Sequence, residues 1–167
     1  LGTLAQAQDA LNIDWDGILN GGFITPTLTV SDCSSLPLNS SSYPIVRVNG
    51  NCNITGGVEF DGTLIVTGSL TLGHGASGDP QMRGIMLVGQ NFNTTAAPQA
   101  WGAIISGLNT MVPSMSQPSG VDQMNGHAQY WYDSYEINRA FTSFGIPNRN
   151  PVLIVVGNAY QDNVPTY

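Results

Sequence analysis

Lysine is absent from this 167-residue chain, and charged side chains of all kinds make up only 9% of it. A typical soluble domain carries about 25%. The basic residues are the scattered Arg47, Arg83, Arg139 and Arg149, and with eleven acidic residues the net charge is −7. A surface that binds nucleic acid needs clustered cations to meet the phosphates. We therefore expect no nucleic-acid partner.

Long apolar runs are also missing. No stretch approaches the roughly 18 residues of a membrane-spanning helix, so we expect no membrane insertion of this segment. With so few charges, surface polarity must come from Ser, Thr, Asn, Gln and Gly. That composition is typical of secreted and cell-surface β-proteins, and it predicts an extracellular location.

Cysteine occurs only at Cys33 and Cys52, and neither has a Cys or His neighbour at the spacing of a zinc site. An isolated pair in a lysine-free, Asn/Ser/Thr-rich chain predicts one disulfide. Closing such a loop contributes about 3 kcal/mol to stability in the chain-entropy account. The alternative is two buried free thiols.

Five segments share an apolar stretch, then a glycine, then a second extended stretch. Their glycines are Gly50, Gly68, Gly89, Gly107 and Gly157, and the first four are 18, 21 and 18 residues apart. The positions four and two before each glycine are always apolar, which is the period of a strand with one buried face. Strand-containing repeats of about 20 residues predict stacked coils. We predict a mainly β protein, a short parallel β-solenoid of about five rungs.

This alignment assigns a direction to each side chain. The residues predicted to point inward are Val46, Val48, Leu64, Val66, Ile85, Leu87, Ala103, Ile105, Leu153 and Val155. The residues predicted to point outward are Arg47, Ile65, Met86, Ile104 and Ile154. One wall is then apolar on both faces, so another element or a partner must cover it.

The cover is predicted within the chain. Asp133 followed by Glu136 resembles a capping box, and Ile137, Phe141 and Phe144 then recur at helical spacing. These residues predict one short helix, at about 134–144, whose apolar stripe lies on the outer wall.

The whole chain, 1–167, is predicted to be a single domain. Residues 1–30 form an N-terminal cap or edge, 45–111 the core rungs, 121–148 a helical insertion, and 151–161 the last rung. Asn91 and Asn109 stand where earlier copies are apolar. Either they form a ladder of hydrogen bonds between rungs, or those strands end early.

Few groups suggest chemistry. Asn12, Asp14, Asp16 and Gly17 follow the order of a calcium loop, although Phe23 replaces the glutamate that completes an EF-hand. The alternative is an Asx-rich turn. Calcium is the one cofactor that the sequence suggests.

Glu59 and Asp61 lie two apart and share one side of a strand. A carboxylate pair is what a glycosidase requires, but a general acid must be buried, and the polar, glycine-bounded segment GGVEFDG favours a solvated turn. No nucleophile elbow, Walker loop or dinucleotide fingerprint is found. We therefore predict no catalytic residues.

Four aromatic residues could serve a ligand or partner: Trp101, Tyr130, Trp131 and Tyr132. Such a cluster could be a platform for sugars, or it could pack within the fold.

Four segments, GTLIVTGSLTL, RGIMLVGQNF, WGAIISG and YDSYEINRAF, follow one another between about residues 45 and 144. Their order resembles the extracellular solenoid of PilX-type type IV pilus-assembly proteins. The resemblance implies strand–glycine–strand rungs followed by a helix, in a minor pilus-associated surface component. It supplies no catalytic residues.

We therefore expect a non-enzymatic extracellular structural and binding module, associated with a pilus or the cell surface, which has a protein partner or self-associates. One alternative is a secreted β-solenoid that binds or cleaves carbohydrate, with a glycan as partner. Another is a subunit of a self-assembling fibre.

Overall fold

The computed structural model describes residues 13–22, 24–39, 41–95 and 97–144. Within them, strands form two parallel sheets. The larger sheet contains, in spatial order, β1 (Leu28–Val30), β2 (Ile45–Val48), β4 (Glu59–Val66), β6 (Gln81–Val88), β8 (Gln99–Ile105) and β10 (Gln129–Trp131). The smaller sheet contains β3 (Cys52–Thr55), β5 (Leu70–Gly73), β7 (Phe92–Thr95) and β9 (Gln123–Asn125).

The chain passes from one sheet to the other and returns one strand further along, so it winds as a β-solenoid of about four turns. The predicted fold class is confirmed. The repeat around Gly157 and the last rung at 151–161 lie outside the described residues, as does the predicted cap before Ile13. In the segment assigned to the insertion, β9 and β10 continue the solenoid and pair with β7 and β8.

The interior of the solenoid is an apolar core drawn from both sheets. Its members include Val46, Leu64, Met86, Cys52, Leu70 and Phe92. Val46, Leu64, Met86 and Ile104 occupy one register across four neighbouring strands. Each coil therefore packs its inward side chains against those of the next coil.

The sequence alignment of the later repeats was wrong by one residue. Val66 pairs with Val88, 22 positions later, so Gly68 lies opposite Gln90 and not Gly89. Because side chains alternate along a strand, a shift of one exchanges inside for outside. Met86 and Ile104, which were expected to point outward, pack in the interior.

The same shift moves residues that were expected inside to the outside of the larger sheet, where they form part of a second core. Ile85, Leu87, Ala103 and Ile105 were expected to point inward, and all four belong to this outer core. The larger sheet is still apolar on both faces after this correction, because Ile65 also belongs to the outer core.

Two helices cover that wall: α1 (Trp15–Leu19) and α2 (Ser134–Ser143). Asp133 caps α2 by accepting hydrogen bonds from the backbone N–H groups of Tyr135 and Glu136. Ile137 and Ala140 face the sheet and are buried. The predicted covering helix is confirmed. Among the described residues, no helix is both long enough and apolar enough to cross a bilayer.

A column of glycines divides each long strand of the larger sheet. Gly62, Gly84 and Gly102 occupy the same register in β4, β6 and β8. Gly84 and Gly102 have φ angles of 122° and 126°, which side-chain-bearing residues rarely adopt. A Cβ atom at Gly84 would also collide with the carbonyl oxygen of Gly62. The helices cover the strand segments after this column, and the outward side chains of the segments before it are polar or aromatic.

A disulfide joins Cys33 to Cys52, as predicted, with the two Cα atoms 5.1 Å apart. Cys33 begins a short 3₁₀ helix (Cys33–Ser35), and Cys52 begins β3. The bond therefore fastens the N-terminal edge to the first complete coil. β1 forms that edge, as expected, and pairs with β2.

Asn91 and Asn109 are buried but make no ladder with each other. The Asn91 side chain bonds to the backbone of Ser119 and Gly120. Asn109 lies in a second 3₁₀ helix (Leu108–Met111), and its side-chain amide donates to the backbone carbonyl of Ser116. The inward places in β7 belong to Phe92 and Thr94, which pair with Leu70 and Leu72.

Candidate functional site

Four short parallel segments, 59–61, 81–83, 99–101 and 129–131, lie side by side before the glycine column. Their middle residues point inward, and their first and last residues therefore point outward. The first residues form the glutamine column: Glu59, Gln81, Gln99 and Gln129. The last residues form the tryptophan column: Asp61, Arg83, Trp101 and Trp131. We call these eight residues together the Gln–Trp face.

Arg83 connects the two columns. Its Nη1 donates to Oδ1 of Asp61 at 3.2 Å and to Oε2 of Glu59 at 3.3 Å, and its Nη2 donates to Oε1 of Gln81 at 3.1 Å. Partial burial acts to lower the pKa of Arg83, but the hydrogen bonds and charges of Asp61 and Glu59 outweigh it, so the pKa is raised. The guanidinium is thus a fixed cation with three partners.

The guanidinium of Arg83 also lies 5.0 Å from the ring centroid of Trp101, which is a cation–π contact. Trp131 stacks on the opposite side of Trp101, with 5.0 Å between centroids and 14° between planes. Neighbouring strands lie about 4.8 Å apart, so residues in one register place their rings at stacking distance. Among the described residues, Trp131 ends the stack, and it is 41% exposed.

Beside the glutamine column runs a shallow polar groove. Gln81, Gln99 and Gln129 line it together with Asp79 and His127. Asp79 is held in place because its Oδ1 lies 3.1 Å from Nδ1 of His74 and accepts from the backbone N–H of Ala97 at 3.3 Å. Nε2 of Gln99 lies 3.5 Å from Oε1 of Gln129. The groove therefore presents donors and acceptors from three successive coils.

The side chains of the four aromatic residues singled out from the sequence point in different directions. Trp101 and Trp131 belong to the Gln–Trp face. Tyr130 points inward and meets the ring of Phe92 edge-on at 5.8 Å, and burial raises the pKa of its hydroxyl. Tyr132 follows the strand and is exposed. An open cavity at the last coil is lined by Tyr130, Trp131 and Tyr132.

The carboxylate pair has the predicted placement, because Glu59 and Asp61 point to the same side of β4. Both, however, are hydrogen-bonded to Arg83. The Glu59 side chain is 52% exposed, whereas a general acid in a glycosidase is kept from water. This arrangement can accept hydrogen bonds from a ligand, and it pairs both carboxylates with one guanidinium.

The calcium-like motif contributes to a helix start. Oδ1 of Asp14 accepts a hydrogen bond of 2.8 Å from the backbone N–H of Gly17, so Asp14 is the N-cap of α1. Asp16 is in the first turn, where a negative charge favours the helix dipole. Asn12 lies outside the described residues. In the part of the chain that the structure describes, no three His, Cys, Asp or Glu side chains are grouped to hold a metal ion.

Sequence reasoning missed half of the Gln–Trp face. Arg83 and the three glutamines carry no motif, and only the register of the coils brings them together. One signal in the sequence could have indicated this face. In the segments QMR, QAW and QYW, a glutamine is followed two positions later by a basic or aromatic residue.

In comparisons with protein-family models, curated proteins and solved structures, nothing matched this chain.

Proposed function

We propose that this chain is a non-catalytic structural and binding module that works outside the cytoplasm, attached to the cell surface or to a pilus. The observation that carries the proposal is the Gln–Trp face, a rigid polar and aromatic surface whose charged groups bind one another. Such a surface is organised to hold a partner, since its carboxylates and its guanidinium are already paired with one another.

The disulfide supports a location outside the cytoplasm. Disulfides persist in oxidising compartments, whereas cytosolic thiols are kept reduced. Cys33 and Cys52 are both buried, so their bond is part of the folded structure. The shortage of charge and the absence of lysine in the sequence agree with this location.

The pilus assignment rests on the resemblance of the segments between about residues 45 and 144 to PilX-type proteins. That range extends from β2 to the end of α2. α2 lies against the outside of the β-solenoid and covers the apolar wall. The module can therefore be located at a surface while its outer core stays buried.

Localisation of the full-length protein tests the proposal. We would tag it in the organism that encodes it, shear the cells, and probe intact cells, sheared fibres and cytosol for the tag. Maleimide labelling under denaturing conditions, before and after reduction, would report the state of Cys33 and Cys52. We expect a surface or sheared fraction with both cysteines oxidised. A cytosolic protein with free thiols would contradict the proposal.

A second candidate function is end-to-end assembly. No described strand pairs with the outer edges of β9 and β10. Val121, Met124 and Tyr132, at this end, are exposed by 82%, 60% and 61%. Free strand edges beside apolar side chains favour association. Sedimentation velocity at rising concentration tests it: growing oligomers support assembly, and a monomer at all concentrations rules it out.

A further inference from the structure

We propose that the Gln–Trp face binds a neutral glycan, with a sugar ring stacked on the free side of Trp131 and sugar hydroxyls bonded to the side chains of the glutamine column. This inference rests on the proposed function, because it names the ligand class of a module that meets the outside of a cell.

The stacking position follows from the order of the rings. Arg83 and Trp131 cover the two faces of Trp101. Among the described residues only Trp101 stacks on Trp131, which is 41% exposed. Its free face continues the column, so a flat apolar ring placed there would repeat the contact that Trp131 makes with Trp101. The C–H side of a pyranose is such a ring, and indoles are suited to it because they offer a large surface with little conformational freedom.

The polar partners lie at the distance that a sugar needs. Gln129 is two residues before Trp131 on the same side of β10, which places the two side chains about 7 Å apart. Gln99 and Gln81 follow at about 4.8 Å per strand. A primary amide offers both donors and an acceptor, as does each hydroxyl of a sugar. A glycan stacked on Trp131 can therefore bond to the groove that Asp79 and His127 also line.

The side chains are ordered before a ligand arrives. Arg83 is bound by Asp61, Glu59 and Gln81, and the two indoles hold each other by stacking. Binding then costs less side-chain entropy than it would on a surface of free side chains.

Charge selects among ligands. Two carboxylates of the face meet one guanidinium, so no cation on it is left for an acidic ligand. The whole chain carries −7, which repels polyanions at long range. Protein interfaces in turn favour an apolar centre, and the Gln–Trp face contains no aliphatic side chain. A neutral glycan is the occupant that fits both conditions.

Affinity electrophoresis of the purified protein tests the proposal. The gels would contain a soluble β-glucan, an α-glucan, a galactomannan or a mannan, and hyaluronan or alginate as acidic glycans. We expect at least one neutral polysaccharide to slow the protein and to change its tryptophan fluorescence, and neither acidic glycan to do so. If no neutral polysaccharide binds, or if only acidic ones do, the proposal is overturned.

Substitutions locate the site. Trp131→Ala is expected to weaken binding at least tenfold, Gln129→Ala several-fold, and Trp131→Phe less than Trp131→Ala because a smaller ring remains. Tyr135→Ala is the matched control, since Tyr135 is 69% exposed on α2 and should leave binding unchanged. Equal binding by Trp131→Ala and the unaltered protein would overturn the proposal. Circular dichroism would confirm that each variant is folded.

The two proposals fail separately. A surface-located protein that binds no polysaccharide would retain the proposed function and remove this inference. A cytosolic protein whose purified form binds a neutral polysaccharide through Trp131 would do the reverse.

Discussion

The indole N–H of Trp15 donates a 2.9 Å hydrogen bond to Oδ1 of Asn109, across 94 residues of sequence, and both side chains are buried. The amide of Asn109 donates in turn to the carbonyl oxygens of Thr67, at 3.0 Å, and Ser116, at 2.7 Å. One side chain therefore connects α1, the turn after β4 and the loop after the second 3₁₀ helix. An outer element and two turns of the solenoid are joined at this point.

Replacing Asn109 by alanine should destabilise the fold by about 3 kcal/mol, because it leaves the buried indole N–H of Trp15 without its acceptor and removes two further hydrogen bonds. Trp15→Phe keeps most of the apolar contact and should cost less. Urea unfolding followed by circular dichroism would measure both. Asn138→Ala, at an exposed position of α2, is the control and should stay within about 0.5 kcal/mol. Similar losses of stability in all three variants would show that the hydrogen bonds of Asn109 contribute no more than an exposed side chain does.

The glycine column predicts a second contrast. Gly84→Ala should cost more than about 3 kcal/mol, because the new methyl group would meet the carbonyl oxygen of Gly62 in an unfavourable φ region. Gly120 has a similar φ of 125° but open space around it. Gly120→Ala should therefore cost only the backbone strain, about 1–2 kcal/mol. Thermal melting would compare them, and equal effects would mean that the backbone angle alone matters.

Reduction of the Cys33–Cys52 bond should lower stability by about 3 kcal/mol, as expected for a loop whose ends are 19 residues apart. Unfolding by urea with and without a phosphine reductant would measure it. The Cys33→Ala/Cys52→Ala variant provides the control, because its stability should not respond to the reductant. A protein equally stable in both conditions would contradict the expected effect.

Stability should fall at alkaline pH. Burial, with a further effect from the charge of Glu136, raises the pKa of Tyr43 above its ordinary value of 10.0. The unfolded chain therefore loses this proton near pH 10 while the folded chain keeps it, so the contribution is complete below pH 10 and declines above it. Tyr43 also donates to the carbonyl of Glu136 at 2.8 Å.

The variant Tyr43→Phe separates these effects. It should cost about 1 kcal/mol at neutral pH through the lost hydrogen bond, and its stability should decline less steeply than that of the unaltered protein between pH 10 and 11.5. Melting temperatures across this range would show the difference. Parallel declines in the two proteins would assign the alkaline loss to other groups.

The periodicity of the sequence was enough to predict the solenoid, because inward positions must be apolar in every coil. It was not enough to predict the register. The glycines at Gly68 and Gly89 are 21 residues apart, an odd number, but the strands pair at 22, and one residue reverses every side chain. β9 and β10 were missed because QMN and QYW lack an apolar alternation.

The candidate site was predicted only where aromatic rings or the carboxylate pair Glu59 and Asp61 marked it. Trp101 and Trp131 were found from their ring chemistry, but Gln81, Gln99 and Gln129 gain their importance from being neighbours across strands. That relationship depends on a register that the sequence pattern did not supply. Tyr130 and Trp131 are adjacent in sequence and face opposite sides, which only the strand assignment could separate.

The coils of this solenoid are not equal in length. The last is the longest, since Trp131 lies 30 positions after its partner Trp101, and a smaller difference lies at the corner between β5 and β6. Leu64 lies 18 positions after its partner Val46, whereas Met86 lies 22 after Leu64 and Ile104 again 18 after Met86. The chain between β5 and β6 makes a tight turn there, in which Gly75 and Gly78 exchange two backbone hydrogen bonds of 2.9 and 3.0 Å. The strands on either side keep their pairing. A foreign peptide grafted between Ala76 and Ser77 would project from this corner while the ladder behind it stayed intact, which makes the module a scaffold for display.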